Sequence, residues 1–300
     1  MSLSRSLWTP EFDHFTEPAR RRAGLGWFVL GCVLVIGIYA ASLMGIFGAI
    51  GLIGGEGAAA QWLLRVQTAA GPTATLLLLA TFGGLVLGLW ACLRLVHRRP
   101  LGSVIGAWEP TSRDFRRASV ITLAGMGLSL LLFLPGMEIL PNLPLGIWVS
   151  FLPLALLMIA LQTGAEEMLF RGYLQQQLAA RFSSPLVWML LPSVLFGAAH
   201  YDPTTAGDTA LQVALAAGIF GLMAADLTRL TGNIGAAWGM HFANNCMAIL
   251  GVSVQGTIPG LSLYTTELAI SDTAEISVLL WQDMALTLLF YLAIRWVVTR

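Results

Sequence analysis

The stretch RRRAGLGWFVLGCVLVIGIYAASLMGIFGAIGLI, residues 20–53, decides the architecture. Arg20, Arg21 and Arg22 are followed by an apolar run that carries no charge as far as Ile53. A transmembrane helix needs about 20 apolar residues, and this run exceeds that. A cleavable signal peptide has a shorter apolar core and a small-residue cleavage site, so the segment reads as a retained anchor. The rest of the chain has the same character. Of its 300 residues 57% are hydrophobic and 11% charged, and the mean hydropathy is +0.77. A soluble domain carries about 25% charge. A soluble protein of this size cannot hide so much apolar surface, which excludes a soluble enzyme and a disordered chain. A net charge of +0 with no basic stripe excludes nucleic-acid binding.

Outward from residues 20–53, seven more apolar runs follow. The expected fold is all-α, a polytopic membrane bundle of about eight transmembrane helices at 24–50, 74–96, 118–135, 147–168, 185–200, 208–229, 233–252 and 277–298. The fifth is the shortest and contains Pro192. Arginine is the only strongly basic residue, with no lysine, which removes Schiff-base and P-loop chemistry. Arginines cluster before the first run, between the second and third, between the fourth and fifth, at Arg229, and at Arg295 and Arg300. The alternate loops hold only Arg65 and otherwise acids such as Glu56, Glu138, Asp202 and Glu267. By the positive-inside rule both termini are expected in the cytoplasm. The all-arginine, Ala- and Gly-rich composition points to a bacterial cytoplasmic (inner) membrane. Cys32, Cys92 and Cys246 each sit in an apolar run; an odd number gives no disulfide framework and no Cys-rich zinc site.

Charges at mid-membrane are costly and mark cavities or partners. The expected organisation follows from where they fall: 1–23 a cytoplasmic segment, 24–146 three nearly uncharged scaffold helices, 147–252 a core holding the polar residues, and 253–300 a loop and last helix. Three patterns stand out in the core. In Glu166-Glu167-Met-Leu-Phe-Arg171, Glu167 and Arg171 share a helix face with the acid N-terminal, the favourable order for a pair. Glu166 points about 100° away. One carboxylate is thus pinned, while the other is free in an apolar site, suited to general acid–base work. In Phe196-Gly-Ala-Ala-His200 the two rings share a face, and the small residues between them let another helix approach closely. In His241-Phe-Ala-Asn244-Asn245 a His and an amide are stacked four apart, fit either for interhelical hydrogen bonds or for stabilising an oxyanion.

No G-x-S-x-G occurs, no serine lies in the three patterns, and H-E-x-x-H is absent. Asp226 and Asp283 are helix-borne acids without motif character around them. Two His and two Glu remain. They suit either a zinc held by Glu166, His200 and His241 with an open water position, or a metal-free water activated by Glu166 with His200. Both routes hydrolyse without a covalent intermediate.

Taken in order, Glu166-Glu167-x-x-x-Arg171, Phe196-x-x-x-His200 and His241-x-x-x-Asn245 resemble the three motifs of the CPBP family, the CAAX prenyl protease type 2 and bacteriocin-processing group also called Abi. The resemblance covers residues 160–252. It implies an eight-helix intramembrane endopeptidase acting on a peptide or membrane-anchored protein in the lipid bilayer. Glu166 and His200 then activate water, His241 and Asn245 support the oxyanion, and Glu167 and Arg171 hold the site. The metalloprotease label is common in the family, and zinc remains open. Two other readings stay in view: a noncatalytic scaffold or immunity protein, and a small ion-coupled transporter in which Asp226 and Asp283 join the path.

One geometric condition follows. With the fourth helix ending at 168, Glu166 and His200 lie at opposite ends of their helices, about 20 Å apart. The stripe Leu174, Leu178 and Phe182 continues the fourth helix toward Arg181 and removes the conflict.

Overall fold

The computed structural model describes residues 7–55, 57–133, 138–270 and 272–300. Glu56, residues 1–6 of the N-terminal segment and residues 134–135 of the third expected span lie outside the described residues.

The N-terminal segment folds into a helix, α1 (Pro10–Arg20), which hydropathy alone does not reveal. Thr9 caps it, its hydroxyl accepting from Phe12 N at 3.1 Å. The helix buries Phe12 and Phe15, and Phe12 lies 4.9 Å from the ring of Trp188. α2 (Leu25–Gly54) follows, with only Gly31 and Val35 buried. Its exposed Leu30, Val33 and Met44 form a face that lipid would cover. Then come α3 (Ala58–Gln67), α4 (Pro72–His97), α5 (Trp108–Phe133) and α6 (Leu145–Ala179). α7 (Leu186–Ala198), α8 (Pro203–Thr231), α9 (Gly235–Cys246) and α10 (Thr273–Val298) complete the bundle. Among the described residues six helices are long and apolar enough to cross a membrane, namely α2, α4, α5, α6, α8 and α10. The protein is therefore an all-α polytopic bundle, and an integral membrane protein. The fifth and seventh expected spans are the shorter α7 and α9, the latter extended by a π turn over Met247–Gly251.

The loops that the sequence leaves structureless contribute a small sheet in the order β1-β3-β2, from β1 (Ile139–Pro141), β2 (Val252–Gln255) and β3 (Tyr264–Ala269). β1 runs antiparallel to β3 with Ile139 opposite Thr266, and β2 parallel to β3 with Val252 opposite Tyr264.

α6 settles the depth of the site. It continues unbroken to Ala179, 35 residues in all, with a π-helical stretch over Met168–Gln175. At 1.5 Å per residue, Glu166 lies about 20 Å inside its C-terminal end. α7 starts just beyond that end and has 13 residues, so its last turn returns by about the same distance. The ends of α7 and the acid pair of α6 thus reach one level, as the extended stripe requires. α7 lies closely along α8: a Cβ on Gly197 would stand 2.5 Å from the Ala214 carbonyl oxygen, so the small residues before His200 admit a neighbouring helix.

Side chains at the arginine-rich end tie the bundle together. Gln176 Nε2 donates to the carbonyls of Phe15 at 2.5 Å and Ser103 at 2.8 Å. Gln177 Nε2 donates to Arg22 O at 2.6 Å. Arg99 donates to the side chains of both glutamines, and burial pulls its guanidinium down to about 10. On the other side of α1, Arg229 donates to Leu7 O at 2.9 Å and accepts at its own carbonyl from Thr9 Oγ1 at 2.7 Å.

Candidate active site

The two adjacent glutamates of α6 have different surroundings. Glu167 is fully buried. Its Oε1 accepts from Arg171 Nη1 at 2.9 Å and from His241 Nδ1 at 2.8 Å. The i, i+4 pair read from the sequence is therefore present, and a residue 74 positions away joins it. Arg171, itself buried, lays its guanidinium 4.4 Å above the ring of Phe196, a cation–π contact that replaces solvent on that face.

Glu166 faces elsewhere. Its Oε2 is buried without a hydrogen-bond partner among the described residues. The nearest base is His241 Nε2 at 3.6 Å, too long for a direct hydrogen bond. His241 thus stands between the acids, held by Glu167 through one nitrogen and turned to Glu166 with the other. Glu167 Oε2 and Arg171 Nη2 are also buried without partners among the described residues. Settled cores satisfy such groups, so a cluster of them belongs to a site.

Phe196 is the hub. His200 lies tilted against it at 4.6 Å, Phe170 meets it at 5.0 Å, and His241 meets it edge-on at 5.9 Å. His200 Nδ1 lies 2.8 Å from the Phe196 carbonyl oxygen. A carbonyl only accepts, so Nδ1 carries the hydrogen, and the Nε2 of a neutral ring keeps its lone pair. His200 is exposed at the end of α7.

Asn245 Nδ2 donates to Gln162 Oε1 at 2.9 Å, leaving its second N–H unused by that bond. Gln162 escaped the sequence reading. Its signal was present, an amide one helical turn before Glu166 on the same face. Trp238 was also missed; its indole N–H donates to Thr163 Oγ1 and Ala160 O, both at 3.2 Å, and packs α9 onto α6.

Gln162, Glu166, Phe196, His200 and Asn245 line one cavity of about 1530 Å³. Its other walls are largely apolar and come from α2, α4, α5 and α10, so the helices read as plain scaffold enclose the site. Asn244 and Asp283 also line it. Asp226 is placed apart as a structural tie. Its carboxylate accepts from Arg229 at 2.5 Å, from Tyr291 at 2.8 Å and from Arg295 at 3.1 Å, joining α8 to α10. Among the described residues no three His, Cys, Asp or Glu side chains are placed to hold a metal ion together. Glu166, His200 and His241, the set read as zinc ligands, are not gathered as such a group, while Nδ1 of His241 faces Glu167 and Nδ1 of His200 the Phe196 carbonyl, leaving Nε2 of each ring outside those bonds.

These features define a polytopic membrane protein with a polar glutamate–histidine centre opening into a large apolar cavity. Residues 148–247 match the family model for type II CAAX prenyl endopeptidases, Rce1-like. This match supports the resemblance to the CPBP family carried by the three motifs. The chain is also 32% identical over 191 residues to the uncharacterized protein YyaK of Bacillus subtilis (strain 168). That similarity covers 59% of this chain and 62% of YyaK. No solved structure matches the chain.

Proposed function

We propose that this protein is an intramembrane endopeptidase that hydrolyses a peptide bond with a water activated by Glu166 and His200. The observation that carries the reading is the contrast between the glutamates: Glu167 Oε1 accepts from Arg171 and His241, while Glu166 makes no hydrogen bond among the described residues at Oε2 and lines the cavity. A water held between Glu166 and His200 Nε2 loses a proton to Glu166 as its oxygen adds to the substrate carbonyl carbon. The tetrahedral oxyanion takes hydrogen bonds from the second N–H of Asn245 and, when the ring is doubly protonated, from His241 Nε2–H. Collapse breaks the C–N bond, and Glu166 returns its proton to the leaving amine, so a carboxylic acid and an amine are the products.

The size of the cavity supports a polypeptide substrate. Small-ligand clefts are about 300–1,000 Å³, and this space, at about 1530 Å³, is larger. Its mostly apolar walls suit a membrane-anchored segment. The tie of Asp226 to two arginines removes one of the acids a transport path would need.

Glu166→Gln keeps size and removes the proton acceptor. In detergent-purified protein, cleavage of a panel of quenched, membrane-anchored peptides is expected to fall by about 10²–10⁴, the usual worth of a positioned base. Cleavage at the wild-type rate refutes the mechanism. Absence of cleavage by wild-type protein across the panel favours a noncatalytic membrane scaffold.

A further inference from the structure

α10 lies outside the segment that matches the family model, yet it supplies one wall of the cavity. Ile276, Leu279, Leu280, Asp283, Leu286 and Phe290 all line it. Their spacing of three, four and seven marks a single helix face. Between Glu275 and Arg295 the helix holds one charged residue, Asp283, and it falls on that face, far from either end of a membrane-length helix.

Asp283 has no hydrogen bond or ion pair among the described residues. The contrast with Asp226, which three side chains saturate, is direct. Among the described residues no arginine lines the cavity, and its other carboxyl is Glu166. Two acids therefore face a mostly apolar space with His200 as the one basic side chain on its wall. An acid retained at mid-membrane on a cavity wall, with no hydrogen bond or ion pair among the described residues, calls for a partner that enters with the ligand.

We propose that Asp283 is the selectivity residue of this cavity, binding the ammonium or guanidinium group of a basic side chain in the bound peptide. The inference rests on the endopeptidase reading for its substrate class, but its test is a binding measurement that needs no turnover. Asp283 is exposed on this mostly apolar wall, where a charge-assisted hydrogen bond discriminates between a cation and a neutral amide of similar size. A carboxylate on α10, across from the reacting groups of α6 and α9, would fix the direction in which the chain lies.

The probes are two fluorescent hydrophobic peptides, identical except for one central position, Lys in one and Gln in the other. Their Kd values are measured against wild-type, Asp283→Asn and Asp283→Glu proteins in nanodiscs, each variant checked by melting. Wild type is expected to prefer the Lys peptide by about tenfold or more. The ratio should fall to about one in Asp283→Asn and recover in Asp283→Glu. A wild-type ratio near one, or an unchanged ratio in Asp283→Asn, overturns the proposal. If Asp283→Asn fails to fold, wild type and Asp283→Glu are tested with the Lys peptide and a charge-reversed Glu peptide, and an equal affinity for the two peptides overturns the proposal. A preference retained in binding without any cleavage removes the peptidase reading and leaves this one standing.

Discussion

Replacing Glu167 by Gln tests whether the paired acids divide structure from chemistry. The side chain is fully buried and accepts two hydrogen bonds, from Arg171 at 2.9 Å and His241 at 2.8 Å. An amide oxygen can still accept, but it carries no charge. Arg171, 2% exposed, would keep its guanidinium with Phe196 as its main remaining compensation. Removing one member of a buried pair costs about 3–5 kcal/mol. The nearby Glu166 carboxylate offsets part of this, which puts the expectation at the lower end, about 3 kcal/mol. For a protein of this size each kcal/mol shifts the melting temperature by about 2–4 °C, so a drop of about 6–12 °C is expected. Glu166→Gln breaks no hydrogen bond at Oε2 and should melt within a few degrees of wild type. The assay is thermal unfolding of the purified proteins in one detergent, followed by tryptophan fluorescence. Indistinguishable melting of the two variants refutes the division of labour. So does a recovery failure in the double variant Glu167→Gln, Arg171→Met, because removing the second charge leaves no unpaired ion buried there and should regain most of the lost stability.

Three further outcomes are expected. Asn245→Leu should lower kcat by about 10²–10³, the worth of one oxyanion donor, while KM changes little; steady-state kinetics on the cleaved peptide will show whether the loss falls on KM instead. Gly197→Leu should cost at least about 1–3 kcal/mol through overpacking, because the atom it meets is the Ala214 backbone carbonyl and cannot swing aside; wild-type melting of that variant would contradict the α7–α8 contact. Reporter fusions at residues 1 and 300 should both read cytoplasmic, in line with the arginine-rich loops, and an external signal from either would overturn the orientation.

What the sequence could reveal follows from the range over which its signals act. The Glu167–Arg171 pair, the close approach at Gly197 and the length of α6 were all legible, because i, i+4 spacing and stripe continuity are local properties. The bridging of both acids by His241 was not, since spacing put His241 on a face with Asn245 and could not say which neighbour that face would meet. α1 was missed because its apolar content is low and its buried Phe12 finds Trp188 only through tertiary packing. Asp226 and Asp283 looked equivalent as lone acids in apolar helices. Their difference lies in Arg229, Tyr291 and Arg295 converging on the first, which no single helix contains.

The π-helical stretch over Met168–Gln175 makes α6 a helix with two phases. A π bulge amounts to one extra residue in an α-helix. Removing one residue there would turn everything beyond it by about 100°. Glu166 and Glu167 lie before the bulge and would keep their aim. Gln176 and Gln177 lie after it and would swing off Phe15, Ser103 and Arg22, which they now hold. A single-codon deletion would thus undo the glutamine ties of α6 to Phe15, Ser103 and Arg22, leaving α1 held by Arg229 and Trp188, while sparing the acids. The spacing between the chemistry and its anchor is therefore a counted length, intolerant of insertions and deletions even where substitutions are harmless.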